Sequence, residues 1–163
     1  MKVICNSSPL INLAVIGRLE LLRLLYGTIV IPEAVYQEVA VVGHGRPGAV
    51  EVGQADRIVR ETVSNQTAVS ALHELDRGEA EAVVLALENS GSLLIMDERR
   101  GRLAAVNLGI DVIGILGILL VAKRKGLIAA LAPEIERLQT QVGFRIRPDL
   151  KEAVLRAAGE GGE

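Results

Sequence analysis

Tryptophan is absent from this chain of 163 residues, and Tyr26, Tyr36 and Phe144 are its only aromatic residues. The core must therefore be built from Leu, Ile, Val and Ala, which suits helices packed closely on a sheet. The same scarcity excludes a protein that reads single strands by stacking bases on aromatic platforms. Cys5 is the only cysteine, so an internal disulfide and a thiolate metal cluster are both excluded. Inside an apolar run it reads as a small buried hydrophobe. Charge of one sign is also lacking. A formal net charge of −2 argues against holding nucleic acid by bulk electrostatics, yet leaves room for a small site that acts on a phosphate. No apolar run is long enough to span a bilayer; the most apolar one is "IDVIGILGILLVAK". The apolar start is broken by Asn6, Ser7, Ser8 and Pro9, where a signal peptide would need continuity, so a cytoplasmic protein is expected.

What is present is an alternation of short apolar runs and amphipathic segments. "KVIC", "TIVI", "SLLIMD" and "DVIG" read as buried strands, and the ambiguous stretch "AVEVGQADRIVRETV" is expected to hold a short helix and then a short strand. Helices follow them. One has Ser8 as N-cap, Pro9 in its first turn and Gly17 as its stop; another is opened by Pro32; a third is capped by Asp76. Strands alternating with helices predict parallel pairing and a three-layer α/β/α sandwich. A single domain is expected over residues 1–158, with a frayed tail over 159–163. Sites in such sheets lie at the carboxyl ends of strands. Asn6 and Asp97 both stand there.

The direction of the acids is the next signal. At about 100° per residue, Glu81 and Glu88 fall on the polar side of the helix after Asp76, and Glu79 falls opposite, among Ala82, Val83, Ala86 and Leu87. A carboxylate there is costly unless it is paired or binds a metal. A capping box with Asp76 accounts for the same residue, and the two readings coexist. Glu38 falls between Ala34, Val35 and Val42, where snorkelling to solvent is the competing reading. Asp97 suits an N-cap for the helix that follows it, and Glu98 suits that helix's first turn. Three carboxylates from distant segments, joined by Asn6, form an all-oxygen set that suits Mg²⁺ or Mn²⁺. Such ions activate water and stabilise charge on a phosphodiester under attack. Arg99, Arg100 and Arg102 follow Asp97, where they could steer an RNA phosphate, although a solvated helix face is the favoured reading for Arg100 and Arg102. His44 and His73 have no metal-ligand partner at a suitable spacing.

The pieces "ICNSSPLINL", "IPEAVYQEV", "LDRGEAEAVVLALE", "LIMDERRGRLAA" and "VIGILGILLVAKRKGLI" resemble, in that order, the PIN-domain family, and most of all its VapC-type toxin branch. The resemblance implies a metal-dependent ribonuclease with clustered acids on a parallel α/β/α fold. It places the family's first-strand acid on Asn6, its second on Glu38, its mid-chain acid on Glu79 or alternatively Glu81, and its late-strand acid on Asp97. The small hydroxyl after the first acid falls on Ser7. It further implies an RNA substrate, a small antitoxin partner and a homodimer. Asn6 departs from the pattern, which has Asp there; an amide carbonyl is still an oxygen ligand but is neutral and is no base. Two alternatives stay open. One is a PIN-like scaffold of weak or no activity that binds RNA or a protein. The other is a small-molecule enzyme on a Rossmann-like sheet, against which the absence of G-x-G-x-x-G after the first strand counts.

Overall fold

Residues 1–161 are described by a computed structural model. Five strands form one sheet: β1 (Val3–Cys5), β2 (Ile29–Pro32), β3 (Ile58–Glu61), β4 (Leu93–Ile95) and β5 (Asp111–Ile113). All pairs are parallel, in the order β3-β2-β1-β4-β5. Ten helices surround it: α1 (Ser7–Val15), α2 (Glu20–Tyr26), α3 (Glu33–Tyr36), α4 (Ala49–Gln54), α5 (Gln66–Ala71), α6 (Arg77–Glu88), α7 (Arg99–Asn107), α8 (Ile115–Arg124), α9 (Ala132–Gln141) and α10 (Pro148–Ala157). This is the expected three-layer α/β/α sandwich.

The strand residues divide between two cores by simple alternation. Val3, Cys5, Ile29, Ile31 and Ile95 face one core, which α1, α2, α8 and α9 cover. Ile4, Val30, Leu94 and Met96 face the other, beneath α6 and α7. A period of two with both faces apolar is what a sheet covered on both sides requires. Gly101 lets α7 lie directly on Met96, whose side chain a Cβ would overlap.

The chain builds outward from β1 through β2 to β3, then returns to place β4 on the other side of β1. The strand order reverses between β1 and β4, and a crevice opens at such a switch point beyond the carboxyl ends. Asn6 follows β1 and Asp97 lies just beyond β4, so both border it. The Asn6 amide donates to the Ile95 carbonyl at 3.0 Å, which ties the two strand ends together.

Several local expectations are corrected. The first helix begins at Ser7 with Asn6 in the cap position, not at Pro9 behind Ser8. The helix after Pro32 is α-helical only over Glu33–Tyr36 and continues as a π-helix over Gln37–Val42. Glu160, expected in a frayed tail, accepts hydrogen bonds from the Leu131 and Ala132 amides at 2.6 and 3.0 Å and from Lys123 at 3.0 Å. Residues 162 and 163 of that tail lie outside the described residues.

Candidate active site at the β1/β4 crevice

Asp97 anchors the crevice through one oxygen. Its Oδ1 accepts from the Ile115 amide at 3.0 Å, so it caps the first turn of α8. This corrects the expectation of a cap on the following helix: the N-cap of α7 is Glu98, which makes no side-chain cap bond. Gly114 makes the close approach feasible. A Cβ there would lie 2.6 Å from Asp97 Oδ1 and 2.8 Å from Arg102 Nη1. Arg102 in turn donates to the Met96 carbonyl at 3.0 Å. It is half-buried beside Asp97, which corrects its reading as a solvated residue. Asp97 Oδ2 is buried and has no hydrogen-bond partner among the described residues, and the same holds for the hydroxyls of Ser7 and Ser8 at the start of α1. Asn6 and Ser7 are buried beside them, with exposures of 4% and 3%.

Burial pushes the Asp97 carboxyl up from its ordinary value, and the charge of Glu98 adds to the rise. The Ile115 amide and the Arg102 guanidinium oppose it. The Cys5 thiol is raised well above its usual value by complete burial and, next, by the charge of Asp97, so it is inert as a nucleophile.

Glu79 approaches from α6. It forms a capping box: the Glu79 amide donates to Asp76 Oδ1 at 2.8 Å and the Asp76 amide donates to Glu79 Oε1 at 3.1 Å. Burial raises its pKa, the Asp76 amide opposes the rise, and Asp76, Glu98 and Glu38 add to it through their negative charges. Glu79 is half-buried near the charges of Asp76, Glu98 and Glu38, and Leu87, expected beside it, is 42% exposed.

Glu38 differs from its expected placement. It is exposed, and Val42 is 77% exposed. The wider π-turn changes the angular step per residue, so a wheel drawn at 100° misplaces both. Glu38 instead lies over the bare backbone of Gly78, where a Cβ would stand 3.2 Å from its Oε2. Gly43 closes the π-turn by donating from its amide to the Glu38 carbonyl at 3.0 Å.

Glu81 also differs: it is 4% exposed rather than on a wet face. The middle of α6 is buried all round, so that helix has no wet side at this level. The carboxylate is satisfied by the Ala34 amide at 3.0 Å and by Arg77 at 3.1 Å. It joins α6 to the start of α3. Glu88 is exposed, as expected, and accepts from the Ser64 and Asn65 amides. Arg99 is exposed at the start of α7 and lines a groove with Asp97.

Carboxylate, hydroxyl and amide oxygens make up the donor set, which fits a hard divalent ion. The partnerless Asp97 and serine oxygens point the same way. Among the described residues no three Asp, Glu, His or Cys side chains stand together tightly enough to hold a metal ion as placed. No helix among the described residues is long and apolar enough to cross a membrane.

A family model described as a PIN domain matches residues 2–160. No curated protein and no solved structure gives a significant match.

Proposed function

We propose, from the premise that this chain belongs to the PIN-domain family, that it is a Mg²⁺- or Mn²⁺-dependent endoribonuclease and the toxin of a toxin–antitoxin pair. The observation that carries this reading is the set of partnerless buried oxygens, Asp97 Oδ2 with the Ser7 and Ser8 hydroxyls, at the strand switch point. Asp97, Glu79 and Glu38 would hold the ion, with Asn6 contributing its amide carbonyl and Ser7 supporting the shell. The chemistry supplied by a bound divalent ion is charge stabilisation at the scissile phosphate and activation of water.

The chain's own residues have distinct tasks. Asp97 is fixed through Oδ1 by the Ile115 amide, which reserves Oδ2 for the ligand. Burial and neighbouring negative charge make the ionised forms of Asp97 and Glu79 costly, and this favours a bound cation at each carboxylate. Arg102 offsets part of the Asp97 charge and keeps β4 and α7 in register through Met96. Arg99 offers a cation to the RNA phosphate at the groove mouth. A small antitoxin and a second copy of the chain are the proposed partners.

The neutral Asn6 and the open arrangement of the acids favour a second reading, a PIN scaffold of weak activity that binds RNA or a protein. Mn²⁺ titration of the wild type and of Asp97→Asn, with cleavage of bulk RNA in parallel, separates the two. The nuclease reading requires saturable Mn²⁺ binding and cleavage that both depend on Asp97. Absence of both leaves the scaffold.

A further inference from the structure

Two grooves meet at Asp97 and are walled by arginines from two separate segments, α7 and the stretch before α10. The first, of roughly 680 Å³, is lined by Arg99, Arg102 and Arg147. The second, of roughly 470 Å³, is lined by Arg102 and Arg145. Asp97, Arg102 and Leu150 belong to both.

The stretch "GFRIRP", residues 143–148, explains the second wall. It has no helical structure before Pro148 and alternates in burial. Phe144 and Ile146 pack against the core, so Arg145 and Arg147 turn outward together. A period of two on an extended segment puts alternate side chains on one face. Arg99 and Arg145 join no ion pair among the described residues. Arg147 has a single pair with Asp149 at 3.7 Å, with both side chains at least three-quarters exposed. Such a pair contributes little and is readily exchanged for a phosphate. The net charge of −2 hides this local excess of cations.

We propose that Arg145 and Arg147 form a phosphate-binding rail that lays the backbone of a single-stranded RNA across the groove to Asp97. This rests on the ribonuclease reading of the same site. The rail holds phosphates rather than bases, since its contacts are guanidinium groups and a single half-buried ring, Phe144, lines the groove beside them, too little for a stacking platform. RNA binding is therefore indifferent to sequence at these positions and strongly dependent on salt.

The test measures binding of a fluorescein-labelled single-stranded RNA of mixed sequence by anisotropy, without divalent ion, across a series of salt concentrations. The proteins are the wild type, the double variant Arg145→Gln/Arg147→Gln, and the control Arg23→Gln/Arg57→Gln. The control removes equal charge from a pocket at the opposite end of the strands, beside Ile29 and Ile58. Arg145 and Arg147 are exposed, so their replacement leaves the fold intact. Loss of two phosphate contacts lowers the slope of log K against log salt by about 1.4 in the rail variant, at about 0.7 per phosphate on a single strand. The control keeps the wild-type slope. An unchanged slope in the rail variant, or an equal fall in the control, overturns the proposal. So does a wild type without RNA affinity, the result expected if the cleft takes an acidic protein segment. Cleavage of the same RNA with Mn²⁺ is scored separately. A reduced rail slope with no cleavage keeps the rail and rejects the nuclease; Asp97-dependent cleavage with an unchanged slope does the reverse.

Discussion

Asp97 and Ile115 lie 18 positions apart, yet the Asp97 carboxylate caps the amide of Ile115 at 3.0 Å and thereby joins the end of β4 to the start of α8. That bond occupies one oxygen and leaves the other buried without a partner among the described residues. Asp97→Asn separates the two roles. Asn retains an acceptor for the amide but loses the charge, so the fold should persist. Cleavage of RNA should fall by at least about 100-fold, the scale of losing a group that stabilises charge at the reacting centre. Circular dichroism and a cleavage assay on the same preparation check this; undiminished cleavage would place the chemistry elsewhere.

The raised pKa of Asp97 also has a sign in stability. The folded state holds its proton more tightly than the unfolded chain, so the folded state is favoured at low pH. That advantage is lost as pH rises from the ordinary Asp value, about 4, through the raised folded value. Glu79 acts in the same direction. Metal-free protein should therefore melt at a lower temperature at pH 7 than just below that window, provided other groups are matched by comparison with Asp97→Asn. The variant should show a shallower decline and a higher Tm at pH 7, and Mn²⁺ should raise the Tm of the wild type alone.

Asn6→Asp adds a negative charge in nearly the same shape, next to Ser7 at the switch point. Ligand charge sets divalent-ion affinity as well as ligand number does. Mn²⁺ should bind more tightly and any ribonuclease activity should rise. Equal Mn²⁺ affinity in variant and wild type would show that the neutral residue is not what limits the site.

Gly114→Ala tests the crowding around Asp97. The new Cβ would meet Asp97 Oδ1 at 2.6 Å and Arg102 Nη1 at 2.8 Å, and Asp97 is held by its bond to Ile115. Relief by displacement should cost about 1–3 kcal/mol of stability and should weaken Mn²⁺ binding. Chemical denaturation and metal titration measure the two effects, and a variant indistinguishable from wild type in both would refute the constraint.

Glu81 should act on stability and not on metal. Glu81→Ala leaves the Ala34 amide without its acceptor and should cost about 1–3 kcal/mol. Glu81→Gln keeps an acceptor and should be milder, with Mn²⁺ affinity unchanged. A loss of Mn²⁺ binding in Glu81→Gln, with stability retained, would move the mid-chain metal ligand from Glu79 to Glu81.

The sequence by itself determined the alternation of strands and helices, because the period of apolar residues and the Gly and Pro punctuation act over a few residues. It determined the Asp76–Glu79 capping box for the same reason, since both partners lie within one turn. It also placed Asn6, Ser7 and Asp97 at strand ends, where a parallel sheet opens. Only the tertiary structure decided which helix Asp97 caps, because Ile115 reaches it through the pairing of β4 with β5. The burial of Glu81 depended on α3 lying against α6, which no helical wheel contains. Glu38 was misplaced because the π-turn alters the very period on which the wheel relies. The meeting of Arg99 and Arg102 with Arg145 and Arg147 at Asp97 likewise had no local signal. It arises where α7 and the stretch before α10 converge on the sheet, and packing across that distance is a property of the fold as a whole.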